Sequence, residues 1–317
     1  MAKRVVITGM GIVSAIGVGK DAHLCALMKG ESGVGKIRYL QTKHADIPVG
    51  EVKMSDDAMK LLLGIAPESV ITRTPLMGKI ALKEAMQDSG ITDASRVAFI
   101  NGTTVGGMEK SEKYYMDFFE GKNTDYIAAH DCGAGTEMIA ETFGKFDLIT
   151  TLSTACSSAV NSIIMGGDLI RSGRVEAAIV GGAESLSKFH LNGFNTLMIL
   201  DRKVCNPFDA QRNGLNLGEG AAYIVLESEE SAKTRNANIL CELKGYGNAC
   251  DAFHQTASSP TGEGAYLAMK KALEEKEIEL SEYRIRRIMR ENGMYPETRT
   301  KYKPMHNGKV NDRYYRN

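Results

Sequence analysis

The chain alternates short apolar, β-branched runs with longer runs whose apolar residues recur at helical spacing. The short runs predict strands at residues 5–8, 97–101, 148–152, 177–180 and 222–226. The longer runs predict a helix at 76–89, which Gly90 stops, and another from about 156 to 171, which Gly173 ends. Because the strands are almost continuously apolar, the pattern predicts an α/β fold whose sheet is covered by helices on both faces.

One part of this pattern occurs twice in the chain. Gly9-Met10-Gly11 follows the first strand, and Gly245-Tyr246-Gly247 follows an apolar run at 239–243. The helical sequence at 81–91 is echoed, in the same order, at 268–278. Helices of this composition are common, so each echo alone is consistent with chance. Together they indicate two copies of one α/β unit, of which the second extends only through its first helix.

Composition and charge place the chain among ordinary globular proteins and mark one boundary. Hydrophobic residues make up 43% and charged residues 25% of its 317 positions. No apolar run approaches the roughly 18 residues of a membrane span, and the first residues lack signal-peptide anatomy, so we expect a cytoplasmic protein. Residues 284–317 carry ten basic and three acidic side chains, which leaves 29 basic and 36 acidic before them. This shift predicts a domain at 1–283 and a separate basic tail.

The six cysteines are scattered, and one of them occupies a position suited to chemistry. No C-x-x-C pair occurs, so neither a zinc site nor a disulfide framework is indicated, and we expect most of these thiols to be buried. Cys156 lies where a predicted strand meets a helix rich in small residues. In the first turn of that helix, unpaired N–H groups and the helix dipole favour a thiolate, which is a nucleophile for acyl transfer. Its own N–H can help to hold an oxyanion, but a simple buried thiol fits the spacing as well.

The glycine motifs do not indicate a cofactor. Gly9-x-Gly11 resembles an incomplete dinucleotide fingerprint without a convincing acidic partner, so we interpret it as a tight turn that leaves the sheet. The clusters at 181–182 and 218–220 are typical of close approach between backbones. We therefore expect no cofactor and no metal.

Several ordered motifs resemble the β-ketoacyl-acyl-carrier-protein synthase family of condensing enzymes. The resemblance extends to about residue 278, and its motifs are Thr154-Ala155-Cys156-Ser157-Ser158-Ala159, residues 5–14, 180–184, 206–209, 212–214 and 217–221, and Asp251-Ala252-Phe253-His254. It implies a thiolase-like fold, layered α-β-α-β-α and built from two pseudo-equivalent halves. On this basis the N-terminal half is complete within about 1–238. The C-terminal half begins at about 239–283 and is truncated.

The resemblance also implies a reaction. An acyl group moves from acyl carrier protein to Cys156, and malonyl on a second carrier is then decarboxylated and condensed with it. The family uses two histidines for the second step, in Asn-Ala-His-Gly-Thr and Gly-His motifs that this sequence lacks. The histidines present are 23, 44, 130, 190, 254 and 306. We therefore expect acyl transfer without condensation; the alternative is an inactive fragment from an interrupted gene, with a non-catalytic tail.

The resemblance carries over to a substrate channel and to partners as well. His254 and Thr256 match positions that line the channel, and Ser258 and Pro260 are expected beside them. The expected partners are the acyl and malonyl thioesters of acyl carrier protein, and the family is homodimeric; no membrane is involved.

The basic tail, residues 284–317, does not resemble the synthase family. Residues 284–293 predict a short basic helix similar to a segment of integrase-type insertion-element transposases. A solvated tail is expected rather than a nucleic-acid-binding one.

Overall fold

The computed structural model describes residues 3–254 and 258–274, together with positions 284, 287 and 291. The strands within these residues are β1 (Val5–Ser14), β2 (Gly17–Val18), β3 (Val97–Gly102), β4 (Leu148–Leu152), β5 (Ala177–Glu184), β6 (Gly220–Ser228) and β7 (Cys241–Glu242). The helices are α1 (Lys20–Met28), α2 (Asp56–Leu63), α3 (Arg73–Ser89), α4 (Met108–Phe119), α5 (Thr124–Ala128), α6 (Cys132–Ala140), α7 (Ser158–Arg171), α8 (Lys188–Thr196), α9 (Glu229–Thr234) and α10 (Glu263–Glu274).

The strands form one mixed sheet in the order β2-β1-β6-β5-β3-β4, with β7 paired to β1 as well. Strands β3, β4 and β5 are parallel, whereas β6 is antiparallel to both β1 and β5. The carboxyl ends of β3, β4 and β5 therefore share one edge of the sheet, where loops from neighbouring strands meet.

Helices cover both faces of the sheet, as the apolar strands predicted. Helix α3 contributes to a core on one face whose largest members include Leu76, Met77, Phe99 and Tyr223. Helix α7 lies on the other face, where Ile100, Ile170, Val180 and Leu226 form a second core. Every residue of β3 is buried, because the strand is covered from both sides.

The first glycine motif does not form a turn, so that prediction was wrong. Strand β1 continues through Gly9 and Gly11 to Ser14, with a bulge between Ile7 and Gly9. A Cβ atom on Gly11 would lie 2.1 Å from the carbonyl oxygen of Ala81, and one on Gly9 would lie 2.8 Å from that of Ala85. The glycines are therefore needed because α3 packs directly onto the strand backbone.

The second glycine motif makes the same contact with the second helix. A Cβ atom on Gly247 would lie 2.2 Å from the carbonyl oxygen of Ala268, and one on Gly245 would lie 2.1 Å from that of Ala272. In the echo at 268–278, Ala268 and Ala272 are the counterparts of Ala81 and Ala85. Equivalent residues thus make equivalent contacts, which supports a duplicated unit.

The rest of the second copy departs from the sequence prediction. The apolar run at 239–243 forms only the short strand Cys241–Glu242, which pairs with β1. Helix α10 begins five residues before the echoed sequence, and the predicted residues 275–278 lie outside the described residues. The boundaries at 238 and 283 stay predictions. In the basic tail only Arg284, Arg287 and Glu291 are described, and Arg287 forms an ion pair with Glu291 at 3.2 Å.

A buried ionic network joins the start of α3 to β6. The Arg73 guanidinium contacts Glu219 at 2.6 Å and Asp56 at 2.9 Å. Burial lowers the pKa of Arg73, but the hydrogen bonds and charges of these two carboxylates outweigh it and raise the pKa above its ordinary value. The Glu219 carboxylate also accepts the N–H of Val52 at 2.9 Å. Beside them, burial raises the pKa of Glu109 to about 7. Such a network is costly to break, since it would leave a buried charge without a partner.

Candidate active site at the turn between β4 and α7

Cys156 lies in a short 3-10 turn, Ala155–Ser157, between β4 and α7. Helix α7 begins at Ser158, so the prediction that Cys156 occupies its first turn was wrong by two residues. The Cys156 side chain is exposed. A reactive thiol needs such access, and Cys156 reaches the surface at the carboxyl edge of the sheet.

The expectation that most cysteines are buried was also wrong. Cys25, Cys241 and Cys250 are exposed like Cys156, whereas Cys132 and Cys205 are half-buried. The short strand β7 and the loop that follows it give Cys241 and Cys250 little cover. Exposure alone therefore does not single out Cys156 among the six.

The backbone at Ala155 distinguishes the turn around Cys156. Ala155 has a φ of 53°, in the left-handed region that residues with a Cβ rarely adopt. Such a conformation costs free energy and persists only where neighbouring contacts fix it. This conformation lies in the turn that joins β4 to α7, directly before Cys156.

Hydrogen bonds within the turn hold it in this conformation. The Ser158 hydroxyl donates to the Ala155 carbonyl at 2.7 Å and accepts the N–H of Thr154 at 2.8 Å. The Ser157 hydroxyl donates to the Thr154 carbonyl, also at 2.8 Å. The two serines that follow Cys156 are therefore hydrogen-bonded to the two residues that precede it, and these bonds fix the turn.

Small residues allow α7 to start directly above the sheet. A Cβ atom on Gly102, at the end of β3, would lie 2.6 Å from the N atom of Ala159. One on Gly182 would lie 2.5 Å from the Gly102 carbonyl oxygen and 3.1 Å from the Ala159 Cβ. Close backbone approach at the Gly181–Gly182 pair is confirmed, and it positions the helix that follows the cysteine.

Two asparagines connect the turn to the second copy of the repeat. The Asn161 side chain donates from Nδ2 to the Thr154 hydroxyl at 2.7 Å, and Asn248 donates from its own Nδ2 to Asn161 Oδ1 at 2.7 Å. Neither asparagine was identified from the sequence, because 87 residues separate them. Asn248 follows the second glycine motif directly, so this contact links the repeat to the cysteine turn.

An open cavity of about 800 Å³ lies between these two segments. Its lining includes Ser157, Asn248, Cys250, Ser258 and Lys271. Ser258 was expected along the substrate approach, and it shares this cavity with Ser157, the residue that follows Cys156. His254 is exposed in the adjoining loop, whereas Thr256 lies outside the described residues. A second cavity, of about 560 Å³, surrounds Arg73 and includes no residue of the cysteine turn.

Three of the chain's histidines form hydrogen bonds with hydroxyl groups outside the cysteine turn. His23 contacts the Ser14 hydroxyl and His130 the Ser111 hydroxyl, at 2.7 and 2.8 Å, and His190 contacts the Ser187 hydroxyl at 3.2 Å. Burial lowers the pKa of His190, which favours its neutral form. These contacts tie the three side chains to their own local structure.

The described part of the chain has no candidate metal-binding cluster and no candidate membrane helix. Within it, no three or more His, Cys, Asp or Glu side chains form a group that could hold a metal ion. None of the helices found there is long and apolar enough to cross a membrane.

Comparison with known proteins identifies relatives along most of the chain. The family model described as beta-ketoacyl synthase, N-terminal domain, matches residues 2–232. A 3-oxoacyl-[acyl-carrier-protein] synthase 2 of Staphylococcus aureus is 32% identical over 292 residues, which cover 87% of this chain and 70% of that protein. Its counterpart in Coxiella burnetii is 33% identical over 295 residues, with the same coverage.

Solved structures agree with the sequence relatives. The ishigamide ketosynthase/chain length factor superposes with a TM-score of 0.79 at 30% identity, over 88% of this chain and 71% of that one. A beta-ketoacyl synthase from Burkholderia phymatum gives a TM-score of 0.73 at 26% identity, over 87% and 71%. The predicted thiolase-like α/β fold is confirmed. The sheet and the helices α3 and α7 on its two faces give three layers, whereas the division into an N-terminal and a C-terminal half stays a prediction.

Proposed function

Because the chain belongs to the β-ketoacyl synthase family, a family of acyltransferases, we propose that Cys156 accepts the acyl group from an acyl-carrier-protein thioester. One observation carries this assignment: an exposed cysteine follows a left-handed alanine in a hydrogen-bonded turn above the sheet edge. A nucleophile held in a strained, well-fixed turn is presented to substrate without further rearrangement.

The proposed reaction is a thioester exchange. The Cys156 thiolate attacks the acyl carbonyl carbon and forms a new C–S bond, which gives a tetrahedral intermediate; when this collapses, the bond to the carrier's sulfur breaks. The carrier's thiol leaves with the proton that Cys156 gave up. In the intermediate the carbonyl oxygen carries negative charge, which the Cys156 N–H can stabilise.

We assign acyl transfer, rather than the complete condensation, to the residues of this sequence. The family's two histidine motifs have no counterpart in it, and the chain spans about 70% of the length of its curated relatives. Malonyl on acyl carrier protein is the second substrate of the family's reaction. His254 and Thr256 remain proposed channel residues, and the cavity lined by Ser157 and Ser258 supports a substrate approach on that side.

We also propose that two copies of the chain associate through β4. Among the described residues β4 pairs only with β3 and forms one end of the sheet. Its Ile149 side chain is 40% exposed. An open strand edge is a template for pairing with another chain. Light scattering after size exclusion should give twice the chain mass, and Ile149→Lys should shift the protein towards the monomer.

The experiment that tests the main proposal counts released thiol. We expect mixing the protein with an acyl-carrier-protein thioester to release one carrier thiol per chain, and Cys156→Ser to release none. Cys25→Ser is the matched control, because it removes another exposed cysteine, one that does not line the cavity beside Ser157, and should leave the release unchanged. No release by the wild-type chain would contradict the proposal. Addition of malonyl-acyl carrier protein should give no carbon dioxide. If carbon dioxide is formed, the chain also catalyses the decarboxylation that condensation needs.

A further inference from the structure

We propose that Thr104 is a positioning residue for the Cys156 oxyanion donor: its hydroxyl, fixed through Glu184, orients the peptide group between Ala155 and Cys156. Nothing in the resemblance assigns a role to Thr104. The inference rests on the proposed acyl transfer to Cys156 and adds to it a residue from a different strand.

Glu184 fixes the loop that carries Thr104. This carboxylate ends β5 and accepts the N–H of Thr104 at 2.6 Å and the hydroxyl of Thr103 at 3.0 Å. The backbone N–H of Val105 also hydrogen-bonds to it, while burial raises its pKa. Three donors from consecutive residues thus bind one carboxylate, so the loop after β3 has little freedom to move.

Thr104 connects this fixed loop to the cysteine turn. Its Oγ1 donates to the Ala155 carbonyl oxygen at 3.3 Å and lies 3.4 Å from the Ser158 hydroxyl. Ser158 makes the shorter bond to that carbonyl, but Ser158 belongs to the turn and moves with it. The Thr104 side chain ties the turn to the loop after another strand of the sheet.

The Ala155 carbonyl matters because of peptide geometry. In a planar trans peptide the C=O of Ala155 and the N–H of Cys156 lie in one plane and point in opposite directions. A contact that fixes the carbonyl therefore fixes the direction of the Cys156 N–H. That N–H is the donor that would face the oxyanion during acyl transfer. Since Ala155 is left-handed, the peptide can relax if this contact is lost.

The test compares two reactions of the same thiol. Acyl transfer passes through an oxyanion, whereas alkylation by iodoacetamide does not. We expect Thr104→Val to lower the single-turnover rate of acyl transfer about tenfold at saturating carrier, because the oxyanion donor is misdirected rather than removed. The carrier concentration for half-maximal rate and the alkylation rate of Cys156 should both stay within about twofold.

Two further variants make the comparison specific. Thr104→Ser keeps the hydroxyl and should restore the rate to within about twofold of the wild type. Thr234→Val removes a hydroxyl that also donates to a backbone carbonyl, that of Glu230 at 2.9 Å, but Thr234 lies in α9, outside the loop and the cysteine turn, so its acyl transfer should match the wild type. Should Thr104→Val fail to fold in a thermal melt, Thr104→Ala serves as the second variant that lacks the hydroxyl.

The outcomes separate this inference from the proposed function. If the wild type is acylated at Cys156 and Thr104→Val reacts equally fast, the positioning role is overturned and the acyl acceptor stands. Equal losses of acyl transfer and alkylation would also overturn it, because they indicate a general distortion of the turn. Absence of acylation in the wild type would contradict the proposed function itself, and the positioning role with it.

Discussion

The two copies of the glycine motif make the same backbone contact in very different surroundings. Gly9 and Gly11 pack on α3, which buries thirteen of its residues, whereas Gly245 and Gly247 pack on α10, where Tyr266 alone is buried. Close approach of a glycine-containing segment and a helix is therefore not sufficient to build a core. The first copy gains its core because α3 also covers β5 and β6 of the same sheet. The cysteine turn rests on that first copy.

The largest expected effect comes from the ionic network of the first copy. Arg73→Leu leaves Glu219 buried without its partner and should lower the free energy of unfolding by about 3–5 kcal/mol. The matched change in the second copy is Lys270→Leu. Lys270 forms an exposed ion pair with Glu274 at 3.6 Å, so its loss should lower the free energy of unfolding by less than about 0.5 kcal/mol. Urea unfolding of both variants measures the difference, and similar losses would contradict it.

The glycines themselves give a closer comparison. Gly11→Ala introduces a Cβ 2.1 Å from a helix carbonyl in a rigid core and should cost about 3 kcal/mol. Gly247→Ala creates nearly the same clash, at 2.2 Å, yet we expect a cost under about 1 kcal/mol because α10 can shift. Thermal melts of the two variants provide the test. An equal loss would show that the second contact is as rigid as the first.

The pH dependence of stability should have opposite signs at two glutamates. Burial raises the pKa of Glu109 from 4.5 to about 7, so the folded state holds its proton more tightly. This contribution is complete below pH 4.5, and the free energy of unfolding falls as pH rises from there to 7. Glu109→Gln should remove about 3 kcal/mol of that fall. An unchanged pH profile in urea unfolding would exclude this role of Glu109.

Glu242 of β7 provides the opposite case. The hydrogen bond from Arg4 lowers the pKa of Glu242 from 4.5 to about 2. Its contribution is complete above pH 4.5 and is lost as pH falls towards 2. Glu242→Gln should therefore flatten the pH dependence of stability between pH 5 and pH 2, while from pH 5 to 8 stability is lower by a constant amount and its slope with pH is unchanged.

The smallest expected effect concerns the link between the second copy and the cysteine turn. Asn248→Ala removes the hydrogen bond to Asn161 and should slow acyl transfer about twofold, as loss of one exposed bond would. Lys271→Met is the control. It removes a different hydrogen bond to Asn248, the one that the Lys271 ammonium donates to the Asn248 carbonyl at 2.9 Å. A loss of tenfold or more in Asn248→Ala would make the second copy part of the catalytic unit.

The sequence predicted those parts of the fold that follow from local patterns. The bounds of β4 and the left-handed Gly90 after α3 agree with the structure, since apolar runs and a helix-ending glycine are local signals. Strand β1 was predicted too short, because Gly9 and Gly11 resemble a turn until the helix that covers them is known. The relation between the two glycine motifs was nevertheless visible in the sequence.

The site was predictable only where a motif carried it. Cys156 was found from its strand-to-helix setting and its resemblance to a family motif, but its exposure was not. Thr104 and Ala155 are 51 residues apart, and Arg73 and Glu219 are 146 apart. Such contacts depend on which strands become neighbours in the sheet. Had the strand order β5-β3-β4 been known, the loop with Thr104 could have been placed beside the cysteine turn, because the two follow neighbouring parallel strands.

One measurement tests the central claim, that the turn above the first copy makes Cys156 the acyl acceptor. The wild-type protein is incubated with a limiting amount of acyl-carrier-protein thioester, and peptide mass spectrometry then quantifies the acyl group on each cysteine. Cys156 and Cys250 are both exposed, so access is comparable and the setting of the thiol decides. We predict that Cys156 carries at least about ten times more acyl group than Cys250. Equal labelling, or a preference for Cys250, would contradict the account.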